Sequence, residues 1–394
     1  MGEPIGIEEA RRRVLAEIAP LEAEGVALTD ALGRVLAEDV SSPVDVPPFD
    51  SSAMDGFAVP AGAAGELRIA GESRAGAPLE GVLAPGTAVR ISTGAVVPEG
   101  AVSVVPVERT SERNGTVDVG QPSEGRNIRR SGEDVRAGDV VLRSGAELGP
   151  AELGVLAGAG RAAVLCARRP RVAVLATGDE LAPLGERPGP GRIWSSNTLT
   201  LGGQVVRAGG KVVLSETVPD SAEATRDALA GALAAADVVC VSGGVSVGEH
   251  DHVKGAFAEL GAQQRFWGVA LRPGKPTWFG MAGAVPAFGL PGNPVSAMVT
   301  FHLFARPALR ALQGADPNGS RATARLDAAV KRNPARAQAV RVALEAHDDG
   351  WHARPTGPQG SHVLTSMLGA DALALIAPGD GDAATGERVE IELL

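Results

Sequence analysis

Between residues 169 and 316 the chain switches repeatedly from short apolar runs to longer amphipathic ones. "RVAVLATG", "KVVLSETV", "DVVCVSGG" and "AVPAFGLPG" have the length and β-branched content of buried strands. "NTLTLGGQVVRAGG", "SAEATRDALAGALAAA", "HVKGAFAELG" and "PVSAMVTFHLFARPALRAL" between and after them read as helices, the last with Asn293 as N-cap and Pro294 at its first position. Strands alternating with helices imply a parallel sheet covered on both faces. Such a sheet binds its ligands beyond the carboxyl ends of the strands. The loops there are the first place to look for chemistry.

The flanking sequence has a different texture. Residues 7–18 place Ile7, Ala10, Val14, Leu15 and Ile18 on one helical face, and "DALGRVLAE" predicts a second short helix from Asp30. Pro43, Pro47 and Pro48 end that region. From 45 to 142 short β runs alternate with glycines, and "RNG" at 113–115 marks a hairpin. Helical character returns in "PAELGVLAGAG", with Pro150 in the first turn. The expected domains are therefore helical (1–44 and 143–168), inserted β (45–142), α/β (169–316) and C-terminal β (317–394). In the last, "DDG" turns the chain between two alternating runs.

Composition excludes several classes. A formal charge of −10 argues against general nucleic-acid binding, which needs a basic face. Aromatics are only 3% of the residues, with no tyrosine, so a base-stacking surface is disfavoured. Cys166 and Cys240 are far apart in apolar runs and read as buried thiols, not as a zinc site. The opening residues form a charged amphipathic pattern unlike a signal peptide, and the apolar stretch 228–248 is broken by Asp237 and glycines. A soluble, cytoplasmic protein with no membrane and no nucleic-acid partner is expected.

Four loops of the α/β region carry unusual residues. "ATGDELAPLG" presents Asp179 and Glu180, "ETVPDSAE" presents Asp220, and "SGGVSVGEHD" carries Gly243, Gly244, Ser246, Gly248, Glu249 and Asp251. "GLPGNPVSA" is stiffened by Pro291 and Pro294 and carries Ser296. Glycine loops opening helices offer N–H groups to phosphate. Acids beside them fit if Mg²⁺ intervenes, because Mg²⁺ takes one or two carboxylates plus substrate oxygens. Each acid also has a plain structural explanation. Asp220 with Glu223 fits a helix-capping box, Asp251 a helix N-terminus, and Glu180 and Glu249 solvated surface. His250 and His252 lack a third soft ligand for a transition metal. "LRPGKPTWFG" holds Arg272 and Lys275 around a rigid Pro-Gly turn suited to an oxyanion. In the β domain, Asp50, Asp55, Ser92, Thr93, Arg129, Arg130, Glu133 and Asp134 lie in three loops that suggest a second binding face.

Taken in order and spacing, "PPFDSSAMDGFAV", "ISTGAVVPEGAVSVVPVE", "NIRRSGEDVRAGDVV", "ATGDEL", "SGGVSVGEHDHVK", "RPGKP" and "GLPGNPVSA" resemble the molybdopterin molybdenumtransferase family of the MoeA type, related to the E domain of gephyrin. The resemblance spans nearly the whole chain. It implies a multidomain fold: a doubly wound molybdopterin-binding α/β domain, a helical domain with an inserted β domain, and a C-terminal β-barrel-like domain. It implies a reaction in which adenylylated molybdopterin and molybdate give molybdenum cofactor and AMP. It further implies a homodimer with each site shared between two subunits, and transient contact with a molybdopterin adenylyltransferase and with molybdoenzymes. The functional positions it carries over are Asp55, Thr93, Asp134, Glu180, Asp220, Asp251, Pro291 and Pro294. Glu180, Asp220 and Asp251 are then the expected Mg²⁺ residues, and Arg272, Lys275, Ser296 and Ser366 the expected molybdate residues. This chain has Arg272, Gly268 and Val102 where relatives carry lysine, lysine and an acid. A non-catalytic scaffold of the same fold and a molybdopterin adenylyltransferase are the competing functions.

Overall fold

The computed structural model describes residues 3–123, 125–245, 252–319 and 321–394. Two helices bracket the inserted domain in sequence: α1 (Ile7–Leu15) and α2 (Pro150–Gly158), the latter with proline in its first turn. The helix suggested after Asp30 does not form. A single 3-10 turn at Leu28–Asp30 gives way to extended chain, with Gly33 at φ 68° and Val35 and Leu36 bridging to Glu147 and Cys166. Burying Leu36 in the cluster of Val40, Leu148, Leu156 and Cys166 contributes roughly 2 kcal/mol. Helix propensities of roughly a few tenths of a kcal/mol per residue cannot compete.

The inserted domain comprises β1 (Gly56–Pro60), β2 (Glu66–Ser73), β3 (Thr87–Ile91), β4 (Ala101–Pro106), β5 (Ser111–Arg113) and β6 (Thr116–Asp118). They form one sheet in the order β4-β1-β3-β2-β6-β5. The expected hairpin joins β5 to β6, with Asn114 and Gly115 both at positive φ.

The α/β region runs β7 (Arg171–Thr177), α3 (Asn197–Arg207), β8 (Lys211–Val218), α4 (Ala222–Ala235), β9 (Val238–Ser242) and α5 (Val253–Glu259). It continues with β10 (Gln263–Trp267), β11 (Leu271–Arg272), β12 (Trp278–Ala282), β13 (Val285–Leu290), α6 (Pro294–Thr300) and α7 (Arg306–Leu312). The sheet order is β8-β7-β9-β13-β12-β10. β8, β7, β9 and β13 are parallel, as the alternation implies, but β12 and β10 extend the sheet antiparallel. The link from β12 to β13 explains this. Ala282 pairs directly with Val285, leaving two loop residues, whereas a parallel crossover needs a dozen or more. Along β7, Val172 and Val174 join one core with Leu201, Val205 and Phe288, while Ala173 and Leu175 join another with Leu229 and Phe257. The sheet is thus buried on both faces. Cys166 and Cys240 are both buried and unpaired with each other, and burial pushes the Cys240 thiol up to about 12.

The last helix of this region is not uniform. Between α6 and α7 lies a π-helical turn, Phe301–Ala305. Pro307 has no N–H to offer the Leu303 carbonyl four residues back. That carbonyl instead accepts from Arg11 Nε of α1 at 3.0 Å. Beyond it, β14 (Arg321–Leu326), β15 (Ala337–His347), β16 (Gly350–Pro355), β17 (Ala372–Ile376) and β18 (Arg388–Leu393) close into a five-stranded barrel. The ring order is β15-β16-β14-β18-β17, returning to β15, and β11 pairs on the outside with β15. No helix among the described residues is long and apolar enough to cross a membrane.

Arg11 ties three regions together. It is 3% exposed, and its Nη2 lies 2.7 Å from Glu392 of β18. Removing one member of a buried ion pair typically costs about 3–5 kcal/mol, and here Arg321, 3.2 Å from Glu392, offsets part of that cost. Arg11→Met should therefore lower the unfolding midpoint substantially, whereas Arg12→Met, on the exposed face with Glu9, should leave it nearly unchanged. Denaturant melts of the two variants make the comparison.

Candidate active site

The loops after β7, β9 and β13 are fastened to one another at the carboxyl edge of the sheet. Gly243 N–H donates to the Leu290 carbonyl at 3.0 Å, and Ser242 Oγ donates to the Pro291 carbonyl at 3.0 Å. Asn197, opening α3, donates from Nδ2 to Ser242 Oγ (2.7 Å) and the Gly292 carbonyl (2.8 Å). The approach is close enough to require glycine. A Cβ on Gly243, at φ 94°, would lie 2.7 Å from both the carbonyl and Oγ1 of Thr177. On Gly244, at φ 63°, it would lie 2.7 Å from Val253 Cγ2. The glycines therefore serve packing, and the Gly243 amide is taken by Leu290 and does not face a phosphate as expected.

A cavity of about 90 Å³ sits among these loops, lined in part by Thr177, Glu180, Ser195, Asn197, Gly292 and Pro294. Thr177 Oγ1, Ser195 Oγ and Asn197 Oδ1 are buried there with no hydrogen-bond partner among the described residues. Leaving such groups unmade costs about 1–3 kcal/mol each. A ligand that hydrogen-bonds along one edge would recover that energy. Trp194, half exposed, stands at the same cavity. None of these four residues stood out in the sequence, because Ser, Thr and Asn near a helix start normally read as caps.

The acids are arranged in a reciprocal turn. Asp220 N–H donates to Asp179 Oδ1 at 3.1 Å, and Asp179 N–H reaches Asp220 Oδ2 at 3.4 Å. Asp220 is not the cap of α4. Ser221 is, its Oγ accepting from Ala224 N–H at 3.2 Å. The structural explanation offered by the sequence for Asp220 is thereby removed. Glu180 is exposed and folds over Gly178, where a Cβ would meet its Oε2 at 2.5 Å. Ser246, Gly248, Glu249, His250 and Asp251 lie outside the described residues, so Glu180 and Asp220 are the described part of the expected Mg²⁺ set. Among the described residues no group of three His, Cys, Asp or Glu side chains is placed to hold a metal ion.

The barrel meets this edge. Val295 N–H donates to the Ser361 carbonyl and Asn293 Nδ2 to Ser361 Oγ, each at 3.1 Å. Asn293 occupies the cap position of α6, but its side chain makes no capping bond and turns to the barrel instead. Arg272, the last residue of β11, and Lys275, on the turn after it, are both exposed, with Arg272 opposite Gln338 of β15. Ser296 and Ser366 are both buried. Ser366 Oγ donates to the Val363 carbonyl (2.6 Å) and accepts from Arg341 Nε (3.2 Å). Arg341 is 0% exposed and has no ion-pair partner among the described residues, and burial lowers its pKa to about 10. A buried guanidinium bonded only to neutral oxygens is one the sequence could not disclose, since a lone arginine on an edge of a strand run reads as solvated.

The β-domain residues gather separately. Asp55 Oδ1 accepts from Thr93 N–H (2.7 Å) and Thr93 Oγ1 (3.0 Å). Those bonds, the backbone one foremost, hold its carboxyl below the usual range. Asp50 accepts from Ser131 N–H and pairs with Arg130. Asp134 is exposed beside a groove with Val140 and Val155. Among the described residues, no hydrogen bond or ion pair joins Asp55, Thr93 or Asp134 to the α/β domain.

Gly243→Ala should cost about 1–3 kcal/mol through its left-handed backbone alone, with the Thr177 contact added. Gly154→Ala, in α2 with nothing within 4 Å of the new Cβ, should gain roughly 0.5–1 kcal/mol. Parallel urea melts decide it. Equal stability of the two variants would show that the loop is not pinned as described.

Family models match three successive stretches of the chain: the MoeA N-terminal region (domain I and II) over residues 5–160, a probable molybdopterin-binding domain over 173–311, and the MoeA C-terminal region (domain IV) over 323–394. The chain is 37% identical to a molybdopterin molybdenumtransferase of Haemophilus influenzae, over 98% of both chains. It is 38% identical to molybdopterin molybdenumtransferase 2 of Mycobacterium tuberculosis, again over 98% of both. Among solved structures, a molybdopterin biosynthesis MoeA protein from Pyrococcus horikoshii superimposes over all of both chains with a TM-score of 0.84 and 29% identity.

Proposed function

This chain belongs to the MoeA family of molybdopterin molybdenumtransferases, and on that premise we propose that it inserts molybdate into adenylylated molybdopterin, giving molybdenum cofactor and AMP. The observation that carries the reading is the buried Arg341 guanidinium against Ser366, on the barrel strand whose Gln338 lies opposite Arg272. A desolvated cation without a carboxylate is a ready counter-charge for a small oxyanion, and Arg presents a planar fork to one. In this reading molybdate approaches this end of the barrel, with Arg272 and Lys275 as the exposed charges that meet it and Arg341 as the buried charge behind them.

The strand edge suits the other substrate. Thr177, Ser195 and Asn197 offer unpaired oxygens to the hydrogen-bonding edge of a pterin ring, and Asn197 Oδ1 can only accept. The carboxylates of Asp220 and Glu180 are hard oxygen donors that fit Mg²⁺ and suit no softer metal. When bound, Mg²⁺ supplies charge neutralisation at the phosphoanhydride. Asp179 fixes the Asp220 loop through the paired backbone bonds, so that the carboxylate needs little reordering as charge develops on the leaving AMP.

Among the described residues, Asp55, Thr93 and Asp134 make no hydrogen bond or ion pair to this edge. The same reading assigns them to the site of a second copy, in a homodimer with two composite sites. It also assigns the reaction to the cytoplasm, with transient contact to an adenylyltransferase that supplies the substrate and to molybdoenzymes that receive the product.

Purified protein should release AMP from adenylylated molybdopterin only when molybdate and Mg²⁺ are both present, as followed by nucleotide chromatography. Asp220→Asn should slow release by about 100-fold. Release at the wild-type rate from that variant would remove Asp220 from the mechanism. Formation of adenylylated pterin from ATP and metal-free molybdopterin would make the protein an adenylyltransferase instead.

A further inference from the structure

The recess at the strand edge cannot enclose the pterin ring assigned to it. It measures about 90 Å³, whereas sites that surround a small organic molecule run from about 300 Å³ upward. A flat heterocycle can put only one edge inside. Its faces and its far side have to lie against whatever stands at the opening.

Trp194 stands there. Its indole lines the recess beside Ser195 and Asn197, yet the residue is 52% exposed. The segment that carries it is braced. Leu181–Ala182 and Ile193–Trp194 pair as short parallel strands, with Ile193 N–H donating to the Glu180 carbonyl at 2.7 Å. Arg192 Nη2 donates to the Leu181 carbonyl at 2.8 Å. Trp194 Nε1 donates to the Glu186 carbonyl at 2.6 Å, which satisfies the one polar atom of the side chain. Among the described residues no second ring and no cation stacks on this indole. An aromatic held in this way, with half its surface uncovered, loses little freedom when a planar ring is laid on it.

The oxygens inside the recess select which ring edge enters. Asn197 Nδ2 is occupied by Ser242 and Gly292, so its Oδ1 can only accept. Thr177 and Ser195, 8% and 6% exposed, add two buried hydroxyls with no partner among the described residues. A 2-amino-4-oxo pyrimidine edge, the edge of a pterin, brings adjacent N–H donors to such a set and a carbonyl to accept from a hydroxyl. An adenine edge brings one amino donor beside ring nitrogens that only accept, and matches the set less well.

We propose that Trp194 determines specificity for the pterin: its indole stacks on the fused ring while Thr177, Ser195 and Asn197 bond the edge. The proposal rests on the reading of the strand edge as the pterin site. The indole then separates a fused bicycle from a single ring that carries the same hydrogen-bonding edge.

Titration calorimetry of the full-length protein with 6-hydroxymethylpterin, isocytosine and AMP tests the assignment. Isocytosine carries the pterin's 2-amino-4-oxo edge without the second ring. Wild-type protein should bind the pterin about tenfold tighter than isocytosine. Trp194→Ala should weaken the pterin about tenfold and isocytosine by much less, bringing the two close together. Trp194→Phe, which keeps a ring but has no N–H, should retain most of the pterin affinity. Equal pterin affinity in wild type and Trp194→Ala overturns the stacking role and leaves the pterin site standing. A loss in Trp194→Phe as large as in Trp194→Ala also overturns it, because the bond to Glu186 would then be what matters. AMP weakened by Trp194→Ala with the pterin unaffected would overturn it by giving the indole to the nucleotide. Absence of saturable binding of both 2-amino-4-oxo compounds to the wild type would contradict the pterin site itself, and the stacking role with it.

Discussion

The approach of Gly243 to Thr177 governs the strand edge. With a bare Cα at 243, the loop after β9 can lie against the carbonyl of the last residue of β7, while its amide bonds to the end of β13. Three parallel strands thereby end at one level, and Asn197 closes the gap between them by bonding to Ser242 and Gly292. The unpaired oxygens of Thr177, Ser195 and Asn197 lie where they do because this packing leaves them no partner. The arrangement costs polar satisfaction at three atoms and yields a preformed recess, which is the usual balance between stability and function at a binding site.

A second tie sets the other half of the site. Pro307 frees the Leu303 carbonyl, Arg11 takes it, and Arg11 also pairs with Glu392 on the barrel. α1 is thus clamped to the long helix on one side and to β18 on another. With the Ser361 bonds to Asn293 and Val295, the barrel is presented to the strand edge with Arg341 already buried in place. On the proposed function, an arginine so constrained would face an oxyanion without first losing side-chain freedom.

Much of this was legible in the sequence where periodicity carried the information. β7, α3, β8, α4, β9, α5 and β13 announce themselves because β7, β9 and β13 are apolar on both faces, the edge strand β8 opens on an apolar run, and each helix has one apolar stripe. The antiparallel strands β10 and β12 do not, since a two-residue connection reverses the chain with no change of apolar texture. The region after Asp30 misleads in the other direction, as tertiary burial of Val35 and Leu36 overrides a helical pattern. At the site, Asp220 has an acid three residues on and so resembles a cap, while the hydroxyl that caps belongs to the adjacent Ser221. Arg341 and Asn197 were invisible for a common reason. Their significance is a missing partner, and an absence of partners is a property of three-dimensional packing that no local pattern encodes.

The β-domain residues give the site its most demanding feature, because Asp55 and Thr93 are bonded to each other and Asp134 is exposed, yet among the described residues none of the three bonds to the strand edge. If a second copy completes each site, two inactive variants should complement one another. Asp55→Asn and Asp220→Asn proteins, dissociated together and allowed to reassociate, would form mixed dimers with one fully native site each. Molybdate-dependent AMP release should then return to about a quarter of the wild-type rate per protomer, the share of native sites that random pairing produces in a two-fold dimer. No recovery above the separate variants would contradict the composite site and confine the chemistry to a single chain.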